Sequence, residues 1–107
     1  MLLLKSRLDD FERSRSLLVP IDTFAPEPFE VVKSFQVVVR PVEDEFIATF
    51  FDANLSAAGA TPEEAVYNLK DVILATFDAL TDHKEEELGP GPARQIRVLQ
   101  QFLQRTA

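Results

Sequence analysis

The chain has no cysteine, so disulfides, thiolate nucleophiles and sulfur metal ligands are all excluded. It has only three glycines, Gly59, Gly89 and Gly91, and none forms the glycine-rich loop that cradles phosphate. No serine stands in a nucleophile elbow, and His83 is the single histidine. No apolar run approaches the roughly 18 residues needed to cross a bilayer. Met1 to Leu4 starts as one, but Lys5 and Arg7 interrupt it. Basic residues are scarce in the middle of the chain: Lys70 and Lys84 alone stand against twelve acids between Pro41 and Pro90. With a formal net charge of −7, the surface repels nucleic acid backbones and anionic lipid and suits a basic partner. These absences leave catalytic chemistry little to start from and point to a cytoplasmic protein that binds another macromolecule.

What is present can supply one hydrophobic core. The chain has 107 residues, 46% of them hydrophobic, with nine Phe, which is the size of one domain. Within it we distinguish an N-terminal segment (1–34), a core (35–83) and a C-terminal segment (84–107). The last segment reverses the charge: Arg94, Arg97 and Arg105 meet no acid there and can lie against the acidic part of the chain.

Hydrophobic periodicity gives the elements. Leu4, Leu8, Phe11 and Leu18 recur at helical spacing, so residues 2–18 are expected to form an amphipathic helix. Pro20, Pro26 and Pro28 then predict an extended connector up to Glu30. From Phe35 the period is two: Phe35, Val37 and Val39 point one way, Gln36, Val38 and Arg40 the other. After the polar turn Val42-Glu43-Asp44-Glu45, the aromatic and β-branched run Phe46 to Phe51 reads as the antiparallel partner. Asp52-Ala53-Asn54 makes a turn, and Leu55 to Ala60 reads as a third short strand, with Gly59 marking a bulge or a close backbone approach. Thr61-Pro62-Glu63-Glu64 carries a capping box and a first-turn proline, so a helix begins there. Its apolar stripe includes Ala65, Leu69, Ile73 and Phe77, and a run to His83 is about 33 Å long. Pro92 is expected to open a last helix bearing Ile96, Leu99, Phe102 and Leu103. The fold class is α+β: a three-stranded antiparallel sheet packed on a long helix, with additional N- and C-terminal helices.

Three groups of residues invite a sharper chemical reading. Asp44, Asp52, Glu64, Asp71 and Asp78 are the acids a metal-dependent nuclease would need to converge on a divalent cation. Their positions are better explained as turn residues and a solvated helix face. His83 sits beside Asp82 and Lys84 near a helix C-terminus, where the helix dipole favours it without any catalytic role. Phe46, Phe50, Phe51 and Tyr67 could stack single-stranded RNA, but no Lys or Arg stands between Phe46 and Tyr67, and core packing accounts for them more simply.

The order of these elements carries a resemblance. Strand Phe35 to Pro41, acidic turn and aromatic strand Glu43 to Phe51, Asp52, small-residue strand Ser56 to Ala60, capped start Thr61 to Ala65 and the Asn68-Leu69-Lys70 helix together resemble the HicB-like antitoxin family. The resemblance covers about residues 35 to 80, and the segments Ala25 to Glu30 and Leu88 to Pro90 are similar to those of stand-alone members. It implies a partial RNase H-like fold that neutralises a small basic ribonuclease, a HicA-like toxin, by covering its active surface. It departs from the family at Ala53-Asn54-Leu55, where many members carry Leu-Pro-Gly-Cys, which bears on local loop shape. The fifteen residues after Pro92 are too few for the DNA-binding module that many such antitoxins add. Under this reading Asp44, Glu45, Asp52, Asn54, Glu64 and Asp71 are the expected partner-binding residues. No catalytic residue, metal or cofactor is expected, and a homodimer would form through a sheet edge or the terminal helices. The alternatives are a degenerate or active RNase H-like nuclease built around Asp44 and Asp52, or an orphan regulator or scaffold.

Overall fold

The computed structural model describes residues 16–106. They form α+β architecture in the order β1 (Leu17–Ile21), β2 (Phe29–Val31), β3 (Phe35–Val42), β4 (Glu45–Phe50), β5 (Leu55–Gly59), α1 (Pro62–Thr81), α2 (Pro90–Phe102) and β6 (Leu103–Arg105). Short 3-10 turns occupy Phe51–Ala53 and Glu85–Glu87. The main sheet is antiparallel with strand order β1-β3-β4-β5, and β2 pairs with β6 in a separate two-stranded ribbon.

The period-two run at Phe35 folds as its alternation dictates. Phe35, Val37 and Val39 are buried, as are Ala48 and Phe50 on β4. The register sets Val39 opposite Ala48 and Pro41 opposite Phe46, so these side chains share the face that α1 covers. On α1 the residues Ala65, Leu69, Ile73, Leu74 and Phe77 are buried. Thr61 caps the helix as its sequence suggests: its Oγ1 accepts from the Glu64 N–H at 3.1 Å, and Glu64 Oε1 accepts from the Ala60 N–H at 3.4 Å. The helix ends at Thr81 rather than His83.

Helix α2 closes one end of the core. It starts at Pro90 rather than Pro92, with Gly89 in the cap position. Its Phe102 ring meets Phe35 edge-on at 5.4 Å and Phe50 at 5.3 Å, while Phe35 and Phe50 stack at 4.4 Å. Such offset and edge-on pairs are the favoured aromatic geometries. Gln95 Nε2 donates to the Ala53 carbonyl at 2.7 Å, tying α2 to the turn that follows β4. Leu103, expected in this helix, leaves it to begin β6.

Two expectations change at the N-terminal side. The main sheet has four strands, not three, because Leu17–Ile21 pairs with β3 along its whole length. Leu17 and Leu18, read from the sequence as the end of a helix, are therefore extended, and residues 2–15 of that helix lie outside the described residues. The connector also gains order: Phe24 is buried with its ring 6.3 Å from Phe35, and β2 at its end pairs Phe29 with Arg105. Among the described residues there are thus two α-helices, both C-terminal to the main sheet.

Candidate functional site

Helix α1 turns its other side outward, and acids occupy that side at helical intervals. Glu64, Asp71 and Asp78 are seven apart, two turns each, and Asp82 at the end of the helix falls on the same side. Glu64, Asp71 and Asp82 are exposed and Asp78 is partly so. The ridge from Glu64 to Asp82 is about 27 Å long at 1.5 Å per residue.

The β3–β4 hairpin carries further acids at one end of the sheet. Val42 pairs with Glu45, which leaves Glu43-Asp44 as a two-residue turn with Glu43 at φ 55°. One residue further on, Phe46 lies opposite Gly59 at the end of β5, two positions before the α1 cap. Asp44 and Glu45 are therefore at the same end of the sheet as Glu64, and all three are exposed.

Asp52 and Asn54 are elsewhere. They follow β4, whose six residues set them about 20 Å from Asp44 at about 3.3 Å per residue. Asn54 adopts φ 55°, ψ 49°, and its N–H donates to the Phe51 carbonyl at 3.1 Å. This is a left-handed turn position that asparagine tolerates, so its local role is backbone geometry. Asp52 borders an open depression with Lys33, Ser34 and Gln36. Of the six expected partner-binding residues, Glu64 and Asp71 share the outer side of α1, Asp44 and Glu45 lie at the same end of the sheet with Glu45 on the face away from α1, and Asp52 and Asn54 lie at the other end of β4.

The same geometry bears on the nuclease and stacking readings. Asp44 and Asp52 lie at opposite ends of β4, and among the described residues no group of three His, Asp or Glu side chains is placed to hold one metal ion. His83 is exposed beyond the end of α1, with its N–H donating to the Leu80 carbonyl at 3.3 Å. The aromatic residues do not share a surface: Phe50 is in the core, Phe51 is on the turn after β4, and Tyr67 is on α1.

The ridge is partly neutralised from within the chain. Arg105 on β6 pairs with Asp78, and its guanidinium also lies over the Phe29 ring at 5.2 Å. The basic C-terminal segment thus meets the acidic helix as its charge suggested, at one residue of the ridge.

A second surface escaped the sequence reading altogether. Between β1 and the first turns of α1 runs an open, mostly apolar groove of about 420 Å³, lined by Leu17, Val19, Val66 and Tyr67 with Glu63 and Lys70 at its border. Tyr67 is 66% exposed and Leu17 40%. The signal was present in the uncharged run Leu17-Leu18-Val19-Pro20-Ile21, but the helical spacing of Leu18 from Phe11 masked it. No family model, curated protein or solved structure matches the chain.

Proposed function

We propose that this chain is a protein-binding domain of the antitoxin type, which sequesters a small basic ribonuclease by steric and electrostatic masking. The exposed acids Glu64 and Asp71 on the outer side of α1, with Asp44 and Glu45 exposed at the same end of the sheet, are the observation that carries the reading. A rigid helix backed by a four-stranded sheet presents this charge in a fixed line, and fixed charges complementary to a basic surface steer encounter and set register. The succession β3, β4, β5 and the capped α1 also follows the order of elements in the HicB-like resemblance. In this role the chain contributes coverage and charge but no catalytic group, metal or cofactor, and it acts in the cytoplasm alongside its HicA-like partner.

The partner is expected as a short basic chain from the adjacent reading frame. Mixed with it, the protein should abolish its RNA cleavage at equimolar ratio. Asp71→Lys should lower the association rate several-fold at low salt, and the difference should shrink above physiological ionic strength, where the Debye length falls below about 8 Å. Failure of the neighbouring protein to bind, or an association rate indifferent to both salt and Asp71→Lys, would overturn the reading.

A further inference from the structure

The two edges of the main sheet are treated differently. At the β5 edge, the Asn68 side chain on α1 donates from Nδ2 to the Ala58 carbonyl at 2.8 Å and so occupies an outward-facing backbone acceptor. At the β1 edge no described residue does the same, and the strand Leu17-Leu18-Val19-Pro20-Ile21 carries no charge. Natural edge strands are commonly blunted by charged side chains, by proline or by being short; this one is short and carries Pro20, which removes one outward N–H, but no charge covers the groups at Leu18.

Antiparallel ladders alternate, so the Asn68 contact fixes which backbone groups face outward on β1. Ala58 turns its carbonyl away from β4, hence its opposite number Ile47 bonds toward β3, to Arg40. Val39, Val37 and Phe35 then bond toward β1, to Leu17, Val19 and Ile21. Leu18 and Pro20 are left facing outward. Proline has no N–H to donate, which is why it is tolerated at this position of an edge strand. The outward groups are therefore the Leu18 N–H and carbonyl and the Pro20 carbonyl, preceded by the backbone of Ser16.

We propose that a second copy of this chain pairs antiparallel along β1, about a two-fold axis at Leu18, to make one continuous eight-stranded sheet. Each Leu18 N–H then donates to the other copy's Leu18 carbonyl, and each Ser16 N–H to the other's Pro20 carbonyl. The side chains agree with this register. On the outer face Leu18, 63% exposed, lies directly opposite itself. On the helix-covered face each Leu17 lies opposite the second copy's Val19, so the apolar floors of the two grooves adjoin. Charge also selects this edge. Two copies of a chain with net charge −7 repel one another, and β1 is a border along which no charged side chains meet. The contact is isologous and closes on itself. Five-residue edges bury less than the roughly 1,200–2,000 Å² of a stable interface, so the dimer is weak and depends on concentration. The antitoxin resemblance allows a homodimer through a sheet edge or the terminal helices; the edge and register named here come from the β1 geometry, and the tests use the protein alone, so that their failure is separate from failure of the antitoxin reading.

Sedimentation equilibrium on the full chain should show a mass rising from 12.1 kDa toward twice that value with concentration. Leu18→Lys sets like charges opposite each other across the axis and should hold the protein at the monomer mass, with unchanged far-ultraviolet circular dichroism because the side chain is exposed. The absence of cysteine permits a geometric test. A hydrogen-bonded antiparallel pair has its Cα atoms about 5.5 Å apart, within disulfide reach. Leu18→Cys should therefore oxidise to a covalent dimer at least ten-fold faster than Phe51→Cys, which is equally exposed but remote from β1. Amide exchange at Leu18 should slow as the protein is concentrated. The proposal is overturned if the wild type stays monomeric to near-millimolar concentration, if Leu18→Lys dimerises like the wild type, or if the two cysteine variants cross-link at equal rates. A Leu18 amide protected equally in the dilute monomer would overturn it too, since the edge would then be covered by the chain itself.

Discussion

Replacing Gly59 with alanine tests the closest approach in the fold, where the end of β5 meets the first turn of α1. A Cβ on Gly59 would lie 2.4 Å from the Ala65 nitrogen, 2.8 Å from the Glu64 carbonyl carbon and 2.9 Å from the Ala65 Cα. Two effects of opposite sign compete. Gly59 does not have positive φ, so alanine fits its backbone, and the lost freedom of the unfolded chain would stabilise by about 0.4–1 kcal/mol. Against this, restoring a normal separation of about 3.5 Å requires α1 to retreat by roughly 1 Å. All three contacts are backbone atoms, which cannot rotate aside, so the cost falls near the upper end of the roughly 1–3 kcal/mol range for overpacking. Overpacking wins, with a net loss of about 2 kcal/mol, a large share of the roughly 5–15 kcal/mol that holds a domain together. The melting temperature should fall by roughly 8–16 °C at about 4–8 °C per kcal/mol. Urea denaturation with an unchanged m-value checks the magnitude. A Gly59→Ala variant as stable as the wild type would show that the β5–α1 approach is looser than described and that the α1 ridge is not rigidly held.

Other substitutions separate the remaining contributions. Thr61→Ala removes the capping acceptor for the Glu64 N–H and should cost about 1 kcal/mol in chemical denaturation. Phe102→Ala empties the space against Phe35 and Phe50 and should cost about 3–5 kcal/mol in chemical denaturation; Phe51→Ala, on an exposed ring, should change stability by less than about 0.5 kcal/mol. Asp78→Asn breaks the pair with Arg105, whose side chains are 44% and 47% exposed, and should cost under about 1 kcal/mol, shrinking further in high salt.

The parts of the fold that were legible are those whose signal is local. Alternation from Phe35 to Phe50 fixes two strands because a one-residue slip would expose Phe35, Val37 and Val39. Thr61-Pro62-Glu63-Glu64 fixes the start of α1 because capping depends only on adjacent residues. Of the two readings a glycine in a strand allows, a bulge or a close backbone approach, Gly59 takes the close approach, against a neighbour on α1 that the local sequence does not identify. What was illegible depends on distant partners. Leu17–Ile21 is a strand because β3 offers it a complete ladder, whereas its own five residues also extend a helical stripe through Leu18. Strands β2 and β6 have three residues each, too few to show any period. The candidate site divides the same way. Glu64 and Asp71 follow from helix geometry, and the hairpin register places Asp44 and Glu45 at the same end of the sheet, with Glu45 on the opposite face. Asp52 and Asn54 were adjacent to the others only along the chain, and the length of β4 separates them.

The two proposed surfaces differ in location, and that yields a stoichiometry. The acidic ridge faces away from the sheet on the outer side of α1, while the β1 edge lies in the plane of the sheet with β3 and β4 between it and β5. A two-fold axis at Leu18 is perpendicular to the sheet, so both copies of α1 stand on the same face and both ridges stay open. One dimer can then hold two basic partners at once, and neither contact needs to break for the other to form. Light scattering on the purified complex should give two chains with two partners at high concentration. Leu18→Lys should reduce this to one with one and leave the affinity for the basic partner within about two-fold, as expected for separated sites. Loss of partner binding in Leu18→Lys, despite an intact fold, would place the partner on the β1 edge instead of the ridge and refute the assignment of both surfaces.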